Sequence, residues 1–185
     1  MEVISTRIPD VKIIKPEVFQ DERGLFFETW KESEFERLVT HKQTKFVQDN
    51  QSVSFKGVLR GLHYQAVNTQ GKLVRVVEGE VFDVAVDVRR NSPTFGKWVG
   101  EFISAENRKM LWMPEGFAHG FLVVSDKATF IYKCTDYFNP EENVTIVWND
   151  KFLNIQWPDA QNIIVSNRDK SGKTFKQCLS ENILL

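Results

Sequence analysis

Along most of this chain, hydrophobic and polar residues alternate, or apolar residues run for about five to eight positions before turn-forming residues interrupt them, which is the pattern of antiparallel sheet. The clearest case is Lys72 to Val77 followed by Val81 to Val88, joined at Glu78-Gly79-Glu80, where glycine can take the positive φ of a tight reversal. This spacing predicts a hairpin. In its second strand Phe82, Val84, Val86 and Val88 fall on one side and Asp83 and Asp87 on the other, so one face is expected to be core. Further strands are predicted around Lys12 to Lys15, Leu25 to Trp30, Phe46 to Ser54, Val58 to Gln65, Trp98 to Ser104 and Lys109 to Met113. Gly120 to Val124, Thr129 to Tyr137 and Thr145 to Trp148 complete the set. About ten strands in one domain favour an all-β sandwich or jelly roll. Only Ser33-Glu34-Phe35-Glu36 reads as a helix start, with capping-box spacing and with Phe35, Leu38 and Val39 on one helical face. The polar and then weakly apolar stretch from Asn167 to Leu185 is expected to wrap the barrel with a little helix.

Composition narrows this picture. A length of 185 residues suits one domain spanning 1–185, and 42% hydrophobic with 26% charged residues is ordinary for a folded soluble chain. No apolar run approaches the ~18 residues of a membrane span, and MEVISTRIPDVK lacks a secretory apolar stretch, so no membrane association and a cytoplasmic location are expected. The only cysteines, Cys134 and Cys178, write no disulfide framework. With 24 basic against 25 acidic side chains, the net charge of -1 gives no general field for nucleic acid, so any anion must be caught locally. Fifteen Phe and five Trp imply a dense aromatic core or aromatic walls around a pocket.

The chemistry rests on few residues. Of three histidines, His41 lies in a polar surface-like stretch, His63 in Arg60-Gly61-Leu62-His63-Tyr64-Gln65, and His119 in Pro114-Glu115-Gly116-Phe117-Ala118-His119-Gly120-Phe121. No His-x-His pair exists to begin a metal site of the kind metal-binding cupins present, so no metal and no cofactor are expected. On a regular strand Arg60 and His63 point to opposite faces, but a glycine inside a strand often marks a bulge, which would bring both to one side. Local sequence leaves His63 equally open to a core histidine bonded to backbone and to a site residue. Tyr132 reads either as a core wall or as an acid, Lys72 as solvated or as reaching into a barrel mouth. Arg23 and Asp169 lie in turn-like polar segments. Imidazole, titrating near ~6.5, and phenol, near ~10, are nonetheless a workable base and acid at neutral pH. No phosphate loop, no Gly-x-Ser-x-Gly elbow and no cysteine beside a histidine supports other chemistry.

Seven segments, in order along nearly the whole chain, resemble the dTDP-4-dehydrorhamnose 3,5-epimerase family. They are Asp21-Glu22-Arg23-Gly24, Phe26-Phe27-Glu28, Gln48-Asp49-Asn50, Leu59 to Gln65, Gln70-Gly71-Lys72, Pro114 to Phe121 and Tyr132-Lys133. The resemblance implies a double-stranded β-helix jelly roll of the cupin superfamily with short peripheral helices, and a homodimer with exchanged strands. It implies catalysis without metal or redox cofactor on dTDP-4-dehydro-6-deoxy-D-glucose, a dTDP-4-keto-6-deoxyhexose, inverted at carbons 3 and 5 to dTDP-4-dehydro-L-rhamnose. By the same likeness His63 is the base, Asp169 the carboxylate behind it, Lys72 the partner of the enolate oxygen and Tyr132 the acid. Arg23, Arg60 and His119 match diphosphate contacts, Glu28 and Gln48-Asp49-Asn50 match contacts to nucleotide and sugar, and Tyr137 or Phe138 would stack on thymine. Asn143 and Arg168 also fall at substrate contacts, but as departures, since glutamate and lysine are expected there. A one-carbon epimerase, a ketoisomerase on another dTDP-4-keto sugar, or a non-catalytic cupin that binds a nucleotide sugar would carry much the same motifs. Retention of His63, Lys72 and Tyr132 together speaks against the last.

Overall fold

The computed structural model describes residues 1–158 and 162–185. Its strands, in chain order, are β1 (Glu2–Ser5), β2 (Lys12–Lys15), β3 (Phe19–Asp21), β4 (Gly24–Phe26), β5 (Gln48–Phe55), β6 (Val58–Gln65) and β7 (Lys72–Glu78). They continue as β8 (Glu80–Asp87), β9 (Trp98–Ser104), β10 (Met110–Met113), β11 (Phe117–Val123), β12 (Lys127–Cys134), β13 (Asn143–Thr145) and β14 (Ile164–Val165). Among the described residues three short helices stand at the periphery: α1 (Glu32–Phe35), which runs into a wider π turn over Glu36–Thr40, α2 (Asn167–Lys170) and α3 (Phe175–Ser180).

Two sheets face each other, one ordered β1-β2-β10-β7-β12-β5 and the other β13-β6-β11-β8-β9, with β14 added in parallel to β6. The β3–β4 ribbon stands apart from both. This is an all-β jelly roll, one of the two architectures that the alternation leaves open and the one that the resemblance implies.

The predicted hairpin is not there. β7 pairs with β10 and β12, whereas β8 pairs with β9 and β11, so the chain changes sheets at Gly79. Alternation identifies a strand but not its partner. Gly79 has φ +75, and a Cβ there would lie 1.9 Å from the Lys127 carbonyl oxygen, so the corner requires glycine as strictly as a hairpin would.

The expectation of one core face on β8 also needs correcting, because both faces are buried. Val81 and Ala85 point between the sheets with Val74, Val76, Phe117, Phe121 and Phe130. Phe82, Val84 and Val86 point outward, where the C-terminal segment covers them with Trp157, Phe175, Cys178 and Leu184. Asp83 and Asp87 therefore lie inside the protein, each 0% exposed. Asp87 is satisfied by Arg89, Ser92 and Thr94. Asp83 belongs to the site described below.

At α1 the N-cap is Lys31 and no side chain caps the helix, so Ser33 does not open a capping box. Glu36 instead accepts the Thr44 N–H at 2.7 Å, closing the π turn. A complete capping box does form, at Thr174 and Gln177 of α3. The strand expected over Leu25 to Trp30 ends at Phe26, because Phe27 and Trp30 turn to pack on Phe35, Leu73 and Trp112.

The bulge inferred at Gly61 is present. Across β6 and β11, His63 faces His119 and Arg60 faces Phe121, so three steps on one strand match two on the other. Gly61 has φ +116, and an added Cβ would lie 2.6 Å from both Gly120 Cα and the His119 carbonyl oxygen. Gly61→Ala is therefore expected to cost about 2–3 kcal/mol of stability and to displace His63. Chemical denaturation read beside activity checks this; an unchanged midpoint with full activity contradicts it.

Candidate active site

Between the sheets lies a cavity of about 620 Å³, within the roughly 300–1,000 Å³ usual for small-ligand sites. β6 places Arg60 and His63 on its wall, β7 Lys72, β11 His119, β12 Tyr132 and β5 Gln48 and Asn50, while α2 supplies Arg168 and Asp169 and β13 supplies Asn143. Register explains the convergence. Tyr132 lies directly across from Asn50, and His119 directly across from His63, so each pair projects to the same side of its sheet.

His63 Nε2 lies 2.6 Å from Asp169 Oδ1. A carboxylate can only accept, so Nε2 is assigned the proton and Nδ1 keeps the free lone pair of the neutral ring. The second oxygen of Asp169 accepts the Gly61 N–H at 3.3 Å, and the Asp169 N–H donates at 3.1 Å to Ser166, the N-cap of α2. Burial pushes the Asp169 carboxyl up, but the hydrogen bond from His63 and the charge of that ring when protonated, with the Gly61 and Ser166 contacts, outweigh it and hold the group below the ordinary carboxylate range. It stays an anion behind the imidazole.

A second imidazole–carboxylate pair lies beside the first. His119 Nε2 is 2.9 Å from Asp83 Oδ2, and Asp83 Oδ1 has no partner among the described residues. Lys72 is only 7% exposed. Burial lowers its pKa, and negative charge on Asp83, and on Cys134 only where its thiol is ionised, opposes that fall. Burial raises the Tyr132 phenol, which keeps its proton, and drives the Cys134 thiol up to about 11, so that sulfur stays protonated. Arg60 is fixed by donating from Nε to Ser54 Oγ at 3.1 Å. Two further polar atoms, Ser52 Oγ and Asn143 Nδ2, are buried without partners among the described residues, and both residues line the cavity. Such groups are satisfied when a ligand supplies the missing hydrogen bonds. No group of three or more His, Cys, Asp or Glu gathers in metal-binding geometry among the described residues.

Four expected site residues lie elsewhere. Arg23, in the turn of the β3–β4 ribbon, is exposed and binds Asp21 through both carboxylate oxygens. Glu28 sits 3.7 Å from Lys31, beside a separate pocket under Trp30 and Phe35. Asp49, one step from Gln48 and Asn50 on β5, necessarily points to the opposite face, where Lys133 binds it at 2.7 Å. Tyr137 is exposed and outside the cavity wall, whereas Phe138 is part of it. Conversely, Asp83 was not apparent as a site residue from the sequence. Its signal is a carboxylate at the centre of a strand whose other positions from Val81 to Val86 are all apolar.

A jelly-roll barrel of the cupin type that brings an imidazole held by a carboxylate, a buried ammonium and a protonated phenol to one cavity is equipped for acid–base catalysis. Residues 5–177 match the family model described as dTDP-4-dehydrorhamnose 3,5-epimerase. The chain belongs to that family. It is 57% identical over 176 residues to the dTDP-4-dehydrorhamnose 3,5-epimerase of Shigella flexneri, covering 95% of this chain and 96% of that one. It is 56% identical over 177 residues to the enzyme of the same description from Neisseria gonorrhoeae, covering 96% of this chain but only 53% of that longer protein. The crystal structure of dTDP-6-deoxy-D-glucose-3,5-epimerase from Legionella pneumophila Philadelphia 1, in complex with dTDP-4-keto-L-rhamnose, superposes with a TM-score of 0.94 at 49% identity, covering 99% of this chain and 96% of that one.

Proposed function

We propose that this protein epimerises dTDP-4-dehydro-6-deoxy-D-glucose at carbons 3 and 5 to dTDP-4-dehydro-L-rhamnose, in dTDP-L-rhamnose biosynthesis. The observation that carries this reading is the His63–Asp169 pair, 2.6 Å apart, sharing one cavity with Lys72 and Tyr132. The ketone at carbon 4 acidifies the hydrogens on both neighbouring carbons. His63 Nδ1 takes such a proton, and the C–H electron pair moves into an enolate whose charge settles on the ketone oxygen. The Lys72 ammonium stabilises that charge more than the neutral carbonyl, which lowers the barrier. Tyr132 then gives its hydroxyl proton to the opposite face of the carbon. The resulting phenolate recovers a proton by way of solvent, as His63 releases the one it took.

Arg60, Arg168 and His119 supply cation and donor contacts to the diphosphate from the cavity wall. Arg23 and Glu28, which lie outside the cavity of their own chain, serve the site across a homodimer interface. The exposed apolar residues Phe19, Leu25 and Phe26 of the ribbon, with Val53 and Phe55 on edge strand β5, support such an interface. No helix among the described residues is long and apolar enough to cross a membrane. With a sugar nucleotide as substrate, the cytoplasm is the site of action.

The Tyr132→Phe variant tests the division of labour. It is expected to keep hydrogen exchange at the carbons flanking the ketone while inversion falls by about 10²-fold or more, read by NMR of the products. Near-normal inversion would remove Tyr132 from its role.

A further inference from the structure

The segment Asp136-Tyr137-Phe138-Asn139 links β12 to β13 at the cavity, and side chains, rather than a sheet or helix, take up its backbone polar groups. Gln70 Nε2 donates to the Asp136 carbonyl at 2.9 Å. Gln65 Nε2 donates to the Tyr137 carbonyl at 3.2 Å, and its Oε1 accepts the Asn139 N–H at 2.7 Å. Gln48 Oε1 accepts the Phe138 N–H at 2.9 Å. Three glutamines, from the start of β5, the end of β6 and the approach to β7, thus clasp four consecutive residues.

Burial makes this clasp costly to break. Gln65 is 2% and Gln70 6% exposed, and a buried amide left unpaired loses about 1–3 kcal/mol per group. Gln65 Nε2 also reaches the Asn68 carbonyl at 2.7 Å, and Gln48 Nε2 donates to Asn50 Oδ1 at 3.0 Å. Both ends of the Gln48 amide are therefore engaged inside the protein. The clasp turns Tyr137 outward and leaves Phe138 on the cavity wall.

We infer that Gln48, Gln65 and Gln70 are positioning residues that pre-build one wall of the ligand cavity by seating Phe138 against the bound nucleotide sugar, and that Gln48 acts through Phe138 and Asn50. The ligand's identity rests on the proposed function; the clasp does not. A wall fixed before binding spares the ligand the entropy of ordering a loop, which improves affinity without a new contact.

Amide hydrogen exchange in the ligand-free protein, beside calorimetric titration with dTDP, tests this. The Phe138 and Asn139 amides are expected to exchange about 100-fold more slowly than in an open loop. Gln48→Leu should release the first and Gln65→Leu the second. Gln65→Leu should weaken dTDP binding about 10-fold, yet add nothing in a Phe138→Ala background, because both changes remove the same wall. A merely structural role would instead give additive losses. Rapid exchange of both amides in the wild type, or full additivity, overturns the inference. If Gln65→Leu fails to fold, Gln48→Leu, at a less buried site, carries the same comparison. Should the wild type bind no dTDP, the nucleotide-sugar reading fails, and the exchange rates still decide the clasp.

Discussion

Replacing His63 by alanine is expected to lower turnover by about 10³-fold or more and to stop deuterium uptake at both carbons flanking the ketone. Both centres are proposed to depend on one base, because the His63 imidazole lines the cavity and is held by Asp169. The second histidine of the cavity wall is expected not to substitute for it. His119 is tied to Asp83, and its ring stacks on Phe130 at 6.0 Å between centroids, a fixed arrangement deeper in the barrel. NMR in deuterium oxide, with circular dichroism to show that the variant folds, measures the effect. Residual exchange at one carbon in His63→Ala would mean that a second base serves that centre.

Lys72→Met should cost about 10²–10³-fold in kcat with a smaller change in KM, since the ammonium does most for the enolate and little for the neutral ketone. The pH profile gives an independent reading. Burial lowers the Lys72 pKa, so the active ammonium is lost at a lower pH than for a surface lysine, and kcat/KM should fall on its alkaline side below the ordinary lysine range. Asp83 opposes that lowering, so Asp83→Asn should move the alkaline limb to still lower pH. The other acid facing Lys72 is the Cys134 thiol, which stays protonated up to about 11, while Asp169 is committed to His63. An alkaline limb that stays fixed in Asp83→Asn would show that the carboxylate acts on His119 alone.

Much of this architecture was legible in the chain because period-two alternation reports burial directly. The Gly61 bulge was legible for a physical reason: a glycine between two functional side chains at odd spacing is what lets Arg60 and His63 share a face. Partnering was not legible. The seven residues of β7 and eight of β8 read as a hairpin, since local pattern carries no information about which sheet accepts a strand. Strands β3 and β14 escape a sequence reading because two or three residues are too few to show a period, and β1 escapes it as well. Motif groups Asp49 with its neighbours, although alternation alone turns it away from the cavity. Asp83 and the three clasping glutamines were hidden for the opposite reason: a polar residue in a strand is read as solvent-facing until the covering segments are in place.

One cavity is proposed to remove and return protons at two carbons of the same sugar. Incubating the wild-type protein with dTDP-4-dehydro-6-deoxyglucose in deuterium oxide and following each carbon by NMR tests it most directly. Deuterium at both carbon 3 and carbon 5, with both centres inverted, is the predicted result. Label at only one carbon, or none with folded protein, would contradict it.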